Sequence, residues 1–271
     1  MLRQIFCGIS LVMFALPAAG GEADVAAITA KGGCPGCDLS LGELRALDIT
    51  GADFSGADLR EADLKGASLP EANFARSDLQ RVEMERAQLG GAVFSAAKMR
   101  NADLEKADAT AGRFDKADLR AADFGEAVLA GADFSDADLR GAFLRRADLG
   151  SAIFREAKMD DVDLERANVA GADFTGARLA YADLDRANAA GATFHNADMN
   201  GTRLSSANLS GADLTGADLS NAHLMRTNLS GANLRGARGL TERRLALACG
   251  DAATRLPEGF SIKTCGAGST D

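Results

Sequence analysis

The chain has 271 residues, a formal net charge of −9, no tryptophan, one tyrosine and only four prolines. That charge opposes phosphate-driven binding of nucleic acid, and the shortage of Trp and Tyr leaves no platform on which bases could stack. With so little proline, almost every backbone N–H is available for pairing.

The first twenty residues read as an address. Arg3 supplies a cation, an apolar run extends from Ile5 to Leu16, and Pro17-Ala18-Ala19-Gly20 is small. The run is too short for a membrane span and fits a secretory signal peptide over 1–20, cleaved after Gly20, with Ala19 or Ala23 as alternative sites. The competing reading is a buried N-terminal helix. Cys7 lies inside the run without a lipobox-like sequence after it, so no lipid anchor is expected. Loss of Arg3 with the signal takes the net charge from −9 to −10, and the mature chain would enter an oxidising compartment, the periplasm or the exterior. Residues 21–37 form an N-terminal cap segment, in which Asp24 to Ala30 makes a short helix or loop over the open end of the next element.

From 38 to 238 one pattern holds register. A large apolar residue recurs every fifth position from Leu39 to Leu234; of these 40 positions, 37 are Leu, Phe, Met or Ile, and Ala109, Val169 and Ala189 are the small exceptions. Two residues before each lies a second lattice that is nearly all Ala, so the unit is A-D/N-L/F-x-x. Such repeats decide the architecture before any local propensity does. A period of five is not helical, and residues at i−2 and i share one face of an extended segment. The next Ala comes three residues after the large residue, which forces a corner. Eight phenylalanines, Phe54, Phe74, Phe94, Phe114, Phe134, Phe154, Phe174 and Phe194, are spaced by twenty. Four pentads per turn stack them in one column, whereas three would scatter them. Glycine also recurs by twenty at one corner, as in Gly51, Gly91, Gly131, Gly171 and Gly191, which suggests a backbone needing positive φ there.

These units resemble the pentapeptide-repeat family, over about 200 of the 271 residues. The resemblance implies an all-β fold, a right-handed quadrilateral (four-sided) β-helix of about ten 20-residue coils, with i and i−2 inside and the other three positions outside. The hand comes from the family; spacing gives only the four sides. The family implies no single activity.

On the outside, position i−1 is Asp seventeen times between Asp53 and Asp218. Asn168, Asn188, Asn208 and Asn228 are twenty apart and should form an amide ladder. Acidic columns are interrupted by cations, which relieves repulsion between stacked like charges. Arg60, Arg100, Arg120 and Arg140 fall in one column and Arg146, Arg166 and Arg186 in another. They are either an internally neutralised surface or a docking stripe for an acidic partner. Val93, Val128, Phe143 and Ile153 break the polar rule at i−1 but fall on three sides and form no single patch; Tyr181, His195 and His223 are isolated.

Residues 239–271 read as a C-terminal cap. Thr241 can cap a helix over about 242–249, with Leu240 and Leu245 spaced as a hydrophobic staple and Gly250 at its stop. That helix would cover the last coil, whose open edge would otherwise recruit another chain. The segment around Cys249 and Arg255 to Gly259 is similar to the tail of exported family members from Gram-negative bacteria. Residues from Gly266 onward read as loose.

Removing Cys7 leaves four cysteines, Cys34 and Cys37 at one end and Cys249 and Cys265 at the other. About ten coils at ~4.8 Å give a rod on the order of 45–50 Å, too long for any bridge between its ends. Within one chain only Cys34–Cys37 and Cys249–Cys265 can pair. Cys34-Pro35-Gly36-Cys37 also has the spacing of a redox or metal motif, yet no second Cys/His pair accompanies it and no thioredoxin-like βαβ pattern surrounds it.

No nucleophile with a base, no His pair and no Gly-rich phosphate loop is present, so no catalytic residue, cofactor or metal site is assigned. Two functional classes remain. One is an exported, non-enzymatic solenoid, a scaffold or protein-interaction module with a protein partner the sequence does not name. The other is the DNA mimicry of the gyrase-protecting family members, which the acidic charge favours and the export signal opposes.

Overall fold

The computed structural model describes residues 25–266; the expected signal peptide and the residues after Gly266 lie outside the described residues. The body is a parallel ladder in which each i−1 residue bridges the residue twenty positions later, from Gly33↔Asp53 to Asp218↔Arg238. One lap of the chain is therefore twenty residues with four sides.

The pentad Asp58 to Ala62 shows why this unit folds this way. Asp58 N–H donates to the Cys37 carbonyl one coil earlier (2.8 Å). Leu59 and Glu61 N–H donate to the Asp78 and Gln80 carbonyls one coil later (2.7 and 3.0 Å). Ala62 N–H closes the corner onto the Leu59 carbonyl (3.1 Å). The fifth donor, Arg60 N–H, goes to the Asp58 side chain (3.2 Å). All five donors of the unit are thus paired, as a backbone without helices or long strands requires.

The side-chain bond recurs from Ser55 N–H to Asp53, Ala75 to Asn73, Gly125 to Asp123 and Ser220 to Asp218. It is an Asx-turn. The preference for Asp or Asn at i−1 therefore has a backbone cause, beyond any charge pattern along the surface.

Inside, Ala at i−2 and the large residue at i are almost wholly buried along the array. The eight phenylalanines stack in one column with ring centroids 4.8–5.3 Å apart and interplanar angles of 1–13°. Phe124, on the opposite wall, meets Phe114 and Phe134 edge-on across the core at 5.8 and 6.1 Å. The buried hydroxyls of Ser77, Thr202 and Thr227 each donate to a carbonyl, those of Phe74, Leu179 and Leu204.

The glycine corner needs correction. Positive φ occurs at the i+2 residue on all four sides, at Glu61, Arg81, Lys106, Arg146 and Tyr181 as well as at glycines. This is the backbone condition of a type II turn, and a non-glycine residue there costs on the order of 1 kcal/mol. The coil-to-coil ladder imposes it everywhere, so φ alone does not explain why glycine gathers at one corner.

The ends differ from the repeats. Helix α1 (Val25–Lys31) buries Ile28 against the first coil. The lattice starts one pentad earlier than the sequence pattern suggests: Cys34 N–H pairs with the Asp53 carbonyl, and Gly36 (φ 67°) turns the first corner. Helix α2 (Glu242–Leu245) is capped by Thr241, which accepts from Arg244 N–H. It stops at Leu245, short of the expected 249, because the chain leaves the helix to join the ladder. Cys249 bridges Asn228, and Arg255 bridges Asn233. The last coil is therefore covered on those sides by added extended backbone rather than by a helix.

Candidate interaction surface

Four walls can be named by their inward residues: wall 1 holds Leu59 and Leu119, wall 2 Leu104 and Phe124, wall 3 Leu129 and Leu149, and wall 4 the phenylalanine column. Their outer chemistries differ.

Wall 1 carries Arg60, Arg100, Arg120 and Arg140, which turn onto their own Asp column. Arg60 Nε donates to Asp58 (2.8 Å), Arg100 Nε to Asp118 (2.6 Å), Arg120 Nε to Asp118 (2.8 Å) and Arg140 Nη2 to Asp138 (2.7 Å). The Arg60 hydrogen bond holds the Asp58 carboxyl below its ordinary range. At Asp138 burial pushes upward, but the Arg140 hydrogen bond and charge outweigh it and the carboxyl is again held low.

Arg146, Arg166 and Arg186 occupy the corner between walls 2 and 3, away from the wall 1 set. The seven arginines thus form two columns rather than one stripe. The corner set is loosely paired: Arg146 lies 3.6 Å from Glu126, and Arg166 and Arg186 lie 3.6 and 3.5 Å from Glu165.

Wall 3, beside that corner, carries few charges: its i−1 column includes Asp108 and Asp148, then only Asn from Asn168 to Asn228. Its amides form a ladder, Asn188 to Asn168 (3.1 Å), Asn208 to Asn188 (3.2 Å) and Asn228 to Asn208 (3.1 Å). Its far corner bears the recurrent glycines. A Cβ added at Gly51, Gly131, Gly191 or Gly211 would meet nothing within 4 Å, so packing does not require glycine there either.

Wall 2 carries a feature that sequence reasoning did not assemble, a cleft of about 480 Å³ lined by Gly125, Phe143, Arg145, Arg146, Arg166 and four carboxylates including Glu126 and Glu165. Gly125 stands between Glu105 and Arg145 in its column, and Phe143 replaces the usual Asp at i−1 and is 47% exposed. The signal was present, since both residues break the code in adjacent coils. Val128 is also partly exposed (39%) but lies around the corner on wall 3. Burial raises the carboxyls of Asp103 and Asp183 on the same wall, where Glu85 and Asp185 respectively add repulsion.

Cys34 and Cys37 pair across one corner of the ladder with Cα atoms 5.5 Å apart, and Cys249 and Cys265 pair at 4.8 Å. Pro35 and Gly36 occupy the two central turn positions between the first pair. Tyr181 lies against Gly201 of the next coil, where an added Cβ would come within 2.6 Å of its ring. His223 is exposed and His195 half-buried on different walls. Among the described residues no Cys, His, Asp and Glu group is arranged to hold a metal ion, and no helix is long and apolar enough to cross a membrane.

No curated protein matches the sequence significantly. Among solved structures, the chain is similar to HetL, a pentapeptide repeat protein involved in heterocyst differentiation regulation from the cyanobacterium Nostoc sp. strain PCC 7120 (33% identity, 71% of this chain and 85% of that one, TM-score 0.36). A pentapeptide repeat protein from the Arabidopsis thaliana thylakoid lumen matches at 32% identity over 39% of this chain and 70% of its own, with a TM-score of 0.26. QnrB1, a plasmid-mediated fluoroquinolone resistance protein, matches at 20% identity over 76% and 92%, with a TM-score of 0.39. The family model described as Pentapeptide repeats matches repeatedly, over residues 36–66, 48–86, 57–95, 87–125, 132–169, 167–205 and 202–238. With that coverage, the twenty-residue lap and the stacked interior, the chain belongs to the pentapeptide-repeat family, whose fold is a right-handed β-helix.

Proposed function

We propose that the protein is an exported, non-enzymatic solenoid that acts as a scaffold or protein-interaction module, docking a partner along wall 3 and its Arg146–Arg166–Arg186 corner. One observation carries this reading: the walls differ in ways the fold does not require. Lysine, arginine and glutamate hold positive-φ corners elsewhere, so the bare glycine corner answers to something other than the backbone. A wall poor in charge with a loosely paired cationic edge suits contact with an acidic partner, because charge complementarity sets register and encounter rate.

Topoisomerase mimicry is the weaker reading. The wall 1 arginines neutralise the aspartates beside them, and an imitation of duplex DNA needs a continuous anionic face.

The test is fractionation of the native host with N-terminal sequencing, followed by cross-linking in the periplasmic extract. A chain starting near Gly21 and a cross-linked partner lost in the R146E/R166E/R186E variant are expected. An intact Met1 in the cytoplasm overturns export and revives mimicry; an undiminished cross-link in the variant discards the cationic edge.

A further inference from the structure

The cleft on wall 2 sets one aromatic ring, Phe143, among three arginines and four carboxylates, and two of those arginines have hydrogen-bonding capacity to spare. Phe143 sits in the ladder between Asp123 and Asp163, half-exposed, and Gly125 leaves space where its column otherwise carries Glu105 and Arg145. Beside it, Arg146 and Arg166 occupy the same corner on successive coils, spaced by about 4.8 Å. Each touches only one carboxylate, at 3.6 Å, and neither donates a side-chain hydrogen bond among the described residues. Arg145, by contrast, is engaged by both Asp163 (3.0 Å) and Glu165. Two guanidiniums one coil apart can grip the two oxygens of one carboxylate. Phe143 and Arg146 belong to one pentad, so ring and cation lie within about 10 Å along the backbone, the reach of a single residue. An opening of about 480 Å³ is in the range that holds one such group.

We propose that this cleft binds the carboxyl-terminal aromatic residue of a partner polypeptide, its ring against Phe143 over Gly125 and its terminal carboxylate between Arg146 and Arg166. The assignment deepens the interaction-module reading and rests on it for the source of the ligand. The binding chemistry can be tested without any partner, so cleft and module can fail separately.

The chain has no tryptophan, so an indole probe fluoresces without background. N-acetyltryptophan titrated with the mature protein should give a saturable blue shift that weakens with salt, and N-acetyltryptophanamide should bind about tenfold more weakly. F143D restores the residue usual at i−1 and G125R a side chain of the kind Arg145 carries, so both should keep the wild-type melting curve while losing the probe. R146Q/R166Q should bring acid and amide to parity. No saturable binding, equal binding of acid and amide to the wild type, or undiminished binding in F143D overturns the site. Tighter binding of free tryptophan than of its N-acetyl form overturns the peptide assignment in favour of a free amino acid.

Discussion

The repeat body and the C-terminal cap solve one problem in different ways. In the body, each coil presents carbonyls to the next because the same five-residue unit recurs. Beyond Arg238 no repeat exists, yet Leu229 and Leu234 N–H still find carbonyls, those of Cys249 and Arg255, both at 2.7 Å. The cap does this with single-use contacts. Asp251 accepts from the N–H groups of Gly231, Ala253 and Thr254, the Thr254 hydroxyl donates to the Leu229 carbonyl, and Cys249–Cys265 ties the segment down. A parallel ladder thus asks only for acceptors at the right places. Periodicity supplies them in the body, and a pinned irregular chain supplies them at the end.

Perturbations of the two regions should differ in size and reach. Phe134→Ala removes stacking against Phe114 and Phe154, at 4.8 and 4.9 Å, and should cost about 3–5 kcal/mol by denaturant melting. Because coils support one another, hydrogen exchange should also rise in the coils above and below. Protection changed only in the coil of Phe134 would contradict this. Replacing Cys249 and Cys265 by Ser opens a loop of 16 residues and should cost about 3 kcal/mol. Here the loss of protection should stay near 226–234, so spread to the middle of the rod would erase the contrast.

Asp133→Ala should cost about 1 kcal/mol, since it removes the acceptor for Ser135 N–H (2.9 Å), whereas Asp133→Asn, which keeps that acceptor, should cost much less. The smallest effects concern protons. Hydrogen bonding from Ser55 holds Asp53 low, from Arg45 holds Asp63 low and from Ser220 holds Asp218 low. These depressed carboxyls stabilise the fold above the ordinary value of 3.8, and that contribution should be lost as pH falls through their folded values. Asp103 has the opposite sign: burial raises it, so its ionised form costs stability at neutral pH. Asp103→Asn should raise Tm by about 1 °C at pH 7, a gain that fades as pH drops through the Asp103 pKa.

Much of the fold was legible because its signals are periodic. The spacing of Phe54 to Phe194 gave the four-sided lap, and the amides of Asn168 to Asn228 gave their ladder. Three things were hidden. The Asx bond at i−1 is a contact between residue types that also suit a solvated surface, so a repeated Asp read as charge rather than as a cap. Positive φ at every corner was masked because the ladder overrides residue preference, so non-glycine residues such as Glu61 and Arg146 hold it too. The cap followed the weak signal of Thr241, while the pairing of Cys249 and Arg255 with Asn228 and Asn233 depends on where the chain returns after α2. The cleft was half visible: Phe143 stood out as a broken rule, but the missing side chain at Gly125 gains meaning only beside Phe143, one coil away.

The twenty-residue register makes the molecule behave like a screw with four index marks. Excising one whole lap would shorten the shaft by about 4.8 Å and leave every wall in phase. Excising a single pentad would rotate everything beyond the cut by a quarter turn, bringing the phenylalanine file into line with its neighbour and setting the bare wall under a charged one. Overall length is therefore free to drift in whole laps, while any surface that reads across several coils tolerates no smaller step.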